Sequence, residues 1–363
     1  MRGTLLTIEN MAFLDALSDE QFQMELLEGV SRTFALTIPV LPNALCNAIA
    51  NAYLLCRIVD TIEDEVSLTA AQKKYFCHFF IHVVKSGNEA DSFARELAPL
   101  LSDATLPAEH ALIAVIPRVI DITHSFDNEQ VEALWTCVQT MAEGMPIFQT
   151  YTLDAGLPTL LDMDRYCYYV AGCVGEMLTR LFCHYSPEIA VHKNEMMTLA
   201  VSFGQGLQMT NILKDIWDDA ERGVCWLPQD IFNETGFDLH QLKTANNDPK
   251  FKQGLEHLIS VAHKHLANAL KYTQLIPKYE TGIRNFCLWA LGMAVLTLKK
   301  IKQNLDFTKS DQVKITRSNV KSTVAISKLF SRSNHILSMI FDLIAKDLHD
   351  ATWHYRVPIS EQR

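Results

Sequence analysis

Helix-breaking residues are scarce in this chain. Its 14 glycines and 12 prolines among 363 residues fall below average usage, as expected where helices predominate. No alternating apolar and polar run longer than four residues stands out, which argues against half-buried strands. No internal repeat of about 20 to 50 residues is visible, so a solenoid is excluded as well. The nine cysteines form no Cys-x-x-Cys pair and keep no regular spacing. Cys56, Cys167, Cys173, Cys183 and Cys287 sit in apolar stretches, where a free thiol acts as a small hydrophobe. With an odd count and no secretory signal, a reducing cytoplasm is expected. Positive charge is short too: 32 Lys and Arg against 42 Asp and Glu leave a net charge of −10, which argues against nucleic acid as a partner. The longest apolar run, from Phe286 to Leu298, is too short to cross a bilayer and is expected as a buried core helix. Peripheral membrane contact stays open, and no protein partner is implied.

What is present is apolar residue in quantity, 48% of the chain, enough for a large core. Pattern and punctuation predict helices over about 18–29, 43–65, 69–84, 130–149, 163–184, 193–219, 249–276 and 281–302, with a kink at Gly144 and Pro146. A basic stretch, 309–321, leads to a last helix expected over 327–348, and residues 152–162 and 233–247 read as loops. The expected architecture is a single all-α domain over 1–363 with no internal linker.

Two acidic clusters carry the chemistry. At about 3.6 residues per turn, Tyr53, Arg57, Asp60 and Asp64 share one helix face, with Glu63 beside them. Gly204, Gln208, Asn211, Asp215 and Asp219 form a second stripe. The apolar and small neighbours predict faces turned inward. Carboxylates repeated along such a face repel one another and lose hydration, so they need a counter-charge. A hard divalent cation, Mg²⁺ above all, suits clustered carboxylate oxygens and shares them with substrate phosphates. A solvated face is the plain alternative for one such pair, but two sets with matching neighbours read as a metal–diphosphate site.

Four segments, SRTFAL (31–36), YLLCRIVDTIEDE (53–65), YCYYVAGCVGEM (166–177) and GLQMTNILKDIWDDAERGVCWLPQD (206–230), resemble the squalene/phytoene synthases in order and spacing. The resemblance covers roughly residues 20 to 300. It implies an isoprenoid-synthase helical fold with a central cavity. Within the family, ETGIRNFCLWALGMAVLTL (280–298) and VKITR (313–317) look like the squalene-forming branch. The C-terminal anchoring helix of the eukaryotic enzymes is not seen, so a soluble bacterial-type form is expected.

The implied reaction joins two farnesyl diphosphates head to head into presqualene diphosphate, then reduces and rearranges it with NADPH to squalene. The resemblance assigns metal to Asp60, Glu63, Asp64, Asn211, Asp215 and Asp219. It assigns catalytic roles to Tyr53, Arg57, Tyr166 and the aspartates. Substrate contacts fall to Ser31, Phe34, Tyr53, Val170, Val174, Gln208, Asn211, Arg222 and Phe286, with Phe203 and Leu288 as further apolar wall. No GxGxxG marks a nicotinamide site. The resemblance places one instead on Arg32, Arg57, Lys214, Lys314 and Arg317. Lys214 stands where the family commonly has Arg, keeping the charge but losing the bidentate fork. The alternatives are a reductant-free dehydrosqualene or phytoene synthase, a hydroxysqualene product, and a non-catalytic helical scaffold.

Overall fold

The computed structural model describes residues 13–148, 151, 153–245 and 247–349. The stretch 1–12, part of the segment read for a secretory signal, lies outside them, as do Gln149 and Thr152. Among the described residues there are helices and turns but no strand; the one extended pairing is an isolated bridge between Leu157 and Pro228. The longer helices are α1 (Asp19–Val30), α2 (Asn43–Asp64), α3 (Ala70–Ser86), α4 (Asn128–Phe148), α5 (Leu160–Cys167), α6 (Cys173–Tyr185), α7 (Lys193–Glu221), α8 (Pro249–Leu275), α9 (Thr281–Gln303), α10 (Arg317–Phe330) and α11 (Asn334–Ala345).

Backbone contacts divide the chain into two compact units, Met1–Gln149 with Arg180–Ala190, and Thr150–Thr179 with Val191–Arg363. In the first unit, α2 packs on α1, α3 and α4. Local chemistry sets its boundaries. Ser18 and Thr69 cap α1 and α3 through reciprocal bonds with Gln21 and Gln72, and Gly87 ends α3 in the left-handed region at φ 71°. α2 starts directly after Pro42 and ends where Glu65 turns extended. Glu65 is buried and accepts from the amides of Ser67 (2.7 Å) and Ser102 (2.9 Å) and the Thr105 hydroxyl (2.6 Å). These bonds hold its carboxyl down to about 2, against burial that acts to raise it.

In the second unit, α7, α8 and α9 pack in sequence, with α10 and α11 against α9. Asp248 caps α8, and Gly223 at φ 78° stops α7. The helix expected over 163–184 is interrupted: Tyr168–Gly172 forms a π turn between α5 and α6. That turn approaches α7 so closely that a Cβ on Gly204 would lie 2.1 Å from the Ala171 carbonyl oxygen, and α6 follows it, since one on Gly175 would lie 2.3 Å from that of Ala200. The last helix expected over 327–348 is also corrected. Ser331 to Ser333 break it into α10 and α11, each with its own serine or threonine cap at Thr316 and Ser333. Fully buried Arg284 secures the break, donating to the carbonyls of Ser331 (2.5 Å), Thr273 (3.0 Å) and Ile276 (2.6 Å) and to Asn334 Oδ1 (2.6 Å). Within the loop expected over 233–247, Leu239–Thr244 winds into a 3₁₀ turn.

Among the described residues two helices, α2 and α9, are long and apolar enough to cross a membrane, although 72% and 67% of their apolar windows are buried inside the protein. Burial of that extent is how core helices read, which agrees with the expectation for residues 286–298.

Candidate active site

On α2, the face made by Asn51, Leu55, Ile58 and Ile62 is buried. The opposite stripe carries Tyr53, Arg57 and Asp60, half-buried, and runs out to exposed Asp64. The inward-facing expectation therefore holds for most of the stripe and fails at its end. Ser31 caps the short helix Arg32–Thr37 by accepting the Phe34 amide (3.2 Å). That turn sets the Phe34 ring 4.8 Å from Tyr53. Burial pushes the Tyr53 phenol up, opposed by its hydrogen bond with Ser31. The Arg32 side chain lies outside what the structure describes.

Arg57 is the electrostatic hinge of this stripe. It donates to Glu109 Oε1 at 2.5 Å and lies 3.7 Å from Asp60 Oδ2, while its buried Nε has no hydrogen-bond partner. Burial acts to lower its pKa, but Asp60 and Glu109 outweigh that and hold it above its ordinary value. One guanidinium does not neutralise the cluster. Burial, with repulsion from Asp64 and Glu109, pushes the Asp60 carboxyl up to about 7 despite Arg57. Burial and the charges of Asp64 and Asp60 push Glu63 up to about 8, although Lys73 opposes this and donates to the Glu63 carbonyl oxygen. Glu109 was missed in the sequence. It lies 52 residues from Arg57, and its only local signal is a place in the first turn after Leu106-Pro107, where it accepts the Leu106 amide (3.2 Å).

In the second unit, α7 buries Met209, Leu213, Ile216 and Ala220 and turns Gln208, Asn211, Asp215 and Asp219 the other way. Gln208 and Asp215 are half-buried, Asn211 is exposed, and Asp219 is buried. Gly204, at the head of the stripe, is glycine because of the π turn's close approach. Each carboxylate here has a basic neighbour: Lys214 Nζ lies 3.1 Å from Asp215 Oδ2 and 3.4 Å from Asn211 Oδ1, and Arg222 pairs with Asp219. Burial still raises the Asp219 carboxyl, against Arg222 and with help from Asp215 and Asp218.

The structure brings Lys314 to this cluster, a proximity that its place a hundred residues along the chain does not reveal. The Ser310–Gln312 turn packs on α7. Lys314 bonds Asp311 Oδ1 at 2.5 Å, and its ammonium is held above its ordinary pKa by that bond and by the charges of Asp311, Asp215 and Asp218. Lys214 thus pairs with Asp215, and Lys314, paired with Asp311, feels the Asp215 charge. Arg317 opens α10, exposed to solvent. Tyr166 on α5 is buried and stacked on Trp226, with ring centroids 3.8 Å apart and planes within 8°. Val170 and Val174, in and after the π turn, are half-buried, as is Phe203, and Phe286 on α9 is buried; Leu288, expected in the apolar wall, is buried as well but lines a groove with α10 and α11.

Among the described residues no three His, Cys, Asp or Glu side chains converge into a closed metal cage. The donors are oxygen-only, and burial with neighbouring acids pushes Asp60 up to about 7 and Glu63 up to about 8, which Arg57 and Lys73 offset only in part. Both features fit Mg²⁺, which keeps several waters and shares phosphate oxygens rather than filling a protein cage. The ammoniums of Lys214 and Lys314 fit the phosphates of a nicotinamide dinucleotide, by charge alone.

The sequence profile of the squalene/phytoene synthases matches residues 27–319. The chain belongs to that family. It is similar to squalene synthase ERG9 of Saccharomyces cerevisiae, 29% identical over 332 residues, covering 89% of this chain and 70% of that protein. It is also similar to squalene synthase ERG9 of Gibberella zeae, 27% identical over 319 residues, covering 84% and 65%. The chain thus spans about two thirds of the length of these relatives. Among solved structures, a ligand complex of TcSQS with E5700 superposes with a TM-score of 0.75 at 22% identity, covering 95% of each chain. A dehydrosqualene synthase complex gives a TM-score of 0.64 at 18% identity, covering 87% of this chain and 97% of that one. These likenesses show the all-α isoprenoid-synthase fold. Membership makes the chain a prenyltransferase of isoprenoid biosynthesis.

Proposed function

We propose that this member of the squalene/phytoene synthases is a squalene synthase, coupling two farnesyl diphosphates into presqualene diphosphate and reducing that product with NADPH. The observation that carries the reading is the incompletely neutralised α2 stripe, with Asp60 at about 7 and Glu63 at about 8 beside the Arg57 guanidinium. A site built only for stability would have paired these charges. Asp60, Glu63 and Asp64 in the first stripe, and Asn211, Asp215 and Asp219 in the second, are the residues that would hold Mg²⁺. When bound, Mg²⁺ neutralises charge developing on a departing diphosphate.

The chain's own residues supply the rest. Arg57 presents a guanidinium suited to bidentate phosphate binding, with Glu109 fixing its orientation. Arg222 and Lys214 add positive charge beside the second stripe. Phe34, Val170, Val174 and Phe286 supply apolar surface without nucleophiles, which an allylic cation requires. Tyr166, fixed by its stack on Trp226, has the rigidity to orient a phosphate oxygen or accept a proton through its hydroxyl. Lys314 and Lys214 would bind the phosphates of NADPH, which supplies hydride when bound, with Arg32, Arg57 and Arg317 as further contacts. An apolar substrate and product favour peripheral contact with a membrane.

The test is formation of presqualene diphosphate by Asp60→Ala and Asp215→Ala at saturating Mg²⁺. Both should lose it while keeping the wild-type far-ultraviolet spectrum. Normal turnover by either variant would remove its stripe from the ionisation site.

A further inference from the structure

Away from the candidate site, the second unit carries a surface of different chemistry. α10 and α11 lie over α9 around an open apolar groove of about 180 Å³, floored by Leu288, Leu291 and Val295 and walled by Ile326, Ile340 and Ile344. Both helices carry exposed apolar residues next to those that line the groove. On the α10 wheel, Leu329, 74% exposed, follows Ile326, itself 40% exposed. On α11, Met339 at 58% and Leu343 at 74% each stand one residue before a groove residue, Ile340 and Ile344. Beyond Leu329, Lys321 and Lys328 stand together on the outer edge of α10, both exposed. The Lys328 ammonium lies 5.6 Å from the Trp289 ring. Exposed Arg332 follows in the break between the helices.

The charge here runs against the rest of the protein. Between Asp311 and Asp342 the chain carries no Asp or Glu, and this surface carries Lys321, Lys328 and Arg332, in a protein of net charge −10; on α11 exposed Asp342 stands beside Leu343. An exposed apolar ridge bordered by lysines is the arrangement of a helix lying in the interface of an anionic bilayer, where apolar side chains enter the acyl boundary and ammoniums meet headgroup phosphates. A second copy would bring the same excess of positive charge to this surface, whereas anionic headgroups complement it.

We propose that the α10–α11 surface docks on an anionic phospholipid bilayer, with Leu329, Met339 and Leu343 inserted and Lys321, Lys328 and Arg332 on the headgroups. The groove between the helices takes an acyl chain. The assignment rests on this surface and not on the reaction, so it stands or falls apart from the proposed activity.

The test is co-sedimentation of the full chain with phosphatidylcholine vesicles, with and without phosphatidylglycerol. Wild type should bind the anionic vesicles more tightly than the neutral ones, and salt should weaken the binding. Losing the attraction of two lysines in Lys321→Gln/Lys328→Gln should lower partition onto anionic vesicles by roughly 30-fold. Leu329→Ser/Leu343→Ser should lower it by at least about tenfold. All four positions are exposed, so melting temperature and circular dichroism should match wild type and confirm that folding is not the cause. Equal binding to neutral and anionic vesicles, no binding to either, or unchanged binding by the leucine variant would each overturn the proposal. So would a concentration-dependent dimer, lost in the leucine variant, without vesicle binding.

Discussion

Asp60→Asn should make the metal-free protein more stable while making it inactive. Asn keeps the size of the side chain and removes the charge that burial and the neighbouring acids penalise. A carboxyl whose folded pKa lies above its unfolded value takes up protons on folding, so its contribution to stability declines as pH rises between the two values. For Asp60 the window runs from 3.8 to about 7, and for Glu63 from 4.5 to about 8. Full ionisation across the Asp60 window corresponds to about 4 kcal/mol. The Asp60 side chain is 27% exposed, and solvent screening brings the expectation to about 2–4 kcal/mol. For a chain of this length that is a rise in melting temperature of about 3–5 °C at pH 8, vanishing below pH 4. The assay is a thermal melt across a pH series in chelator, then repeated with Mg²⁺. Added Mg²⁺ should raise the wild-type melting temperature and leave most of that gain out of the variant. A variant less stable than wild type at pH 8 in chelator would refute the reasoning, because it would mean that the Arg57 pair satisfies the carboxylate.

Glu65→Gln should cost about 2–3 kcal/mol at neutral pH. Because the Glu65 carboxyl is held down to about 2, its contribution is fully present above pH 4.5 and is lost as pH falls from there through about 2. Denaturant titrations at pH 7 and near pH 2 should therefore differ in the gap between variant and wild type. Gly204→Ala should lose about 2–4 kcal/mol in the same assay, since its Cβ would meet backbone rather than a movable side chain. Lys314→Ala should spare formation of presqualene diphosphate and slow its reduction, read by product chromatography with NADPH present. Equal loss of both half-reactions would assign Lys314 to the fold or to diphosphate instead.

Much of this was legible in the sequence because the signals are local. Pro42, Asp248-Pro249 and Gly223 punctuate the central helices, so α2, α7, α8 and α9 fall within two residues of their expected bounds. The acidic stripes follow from four-residue spacing alone. What was hidden is what the chain does at a distance. Glu109 reaches Arg57 from another helix, and no local pattern marks it. The π turn at Tyr168–Gly172 leaves hydrophobic periodicity almost unchanged, so the segment reads as one helix until its packing on Gly204 is seen. The break after Phe330 contains serines and one arginine, neither glycine nor proline. It is held by Arg284, which reaches Ser331 from 47 residues away. Lys314 looked remote from the acids because sequence separation hides the turn that returns it to α7.

The most direct measurement is product analysis of the purified chain given farnesyl diphosphate and Mg²⁺, with and without NADPH. The account predicts squalene when NADPH is present and presqualene diphosphate or unreduced products when it is absent. The same unreduced product under both conditions would contradict it in favour of the dehydrosqualene-type reaction, and no product under either would contradict the proposed chemistry altogether.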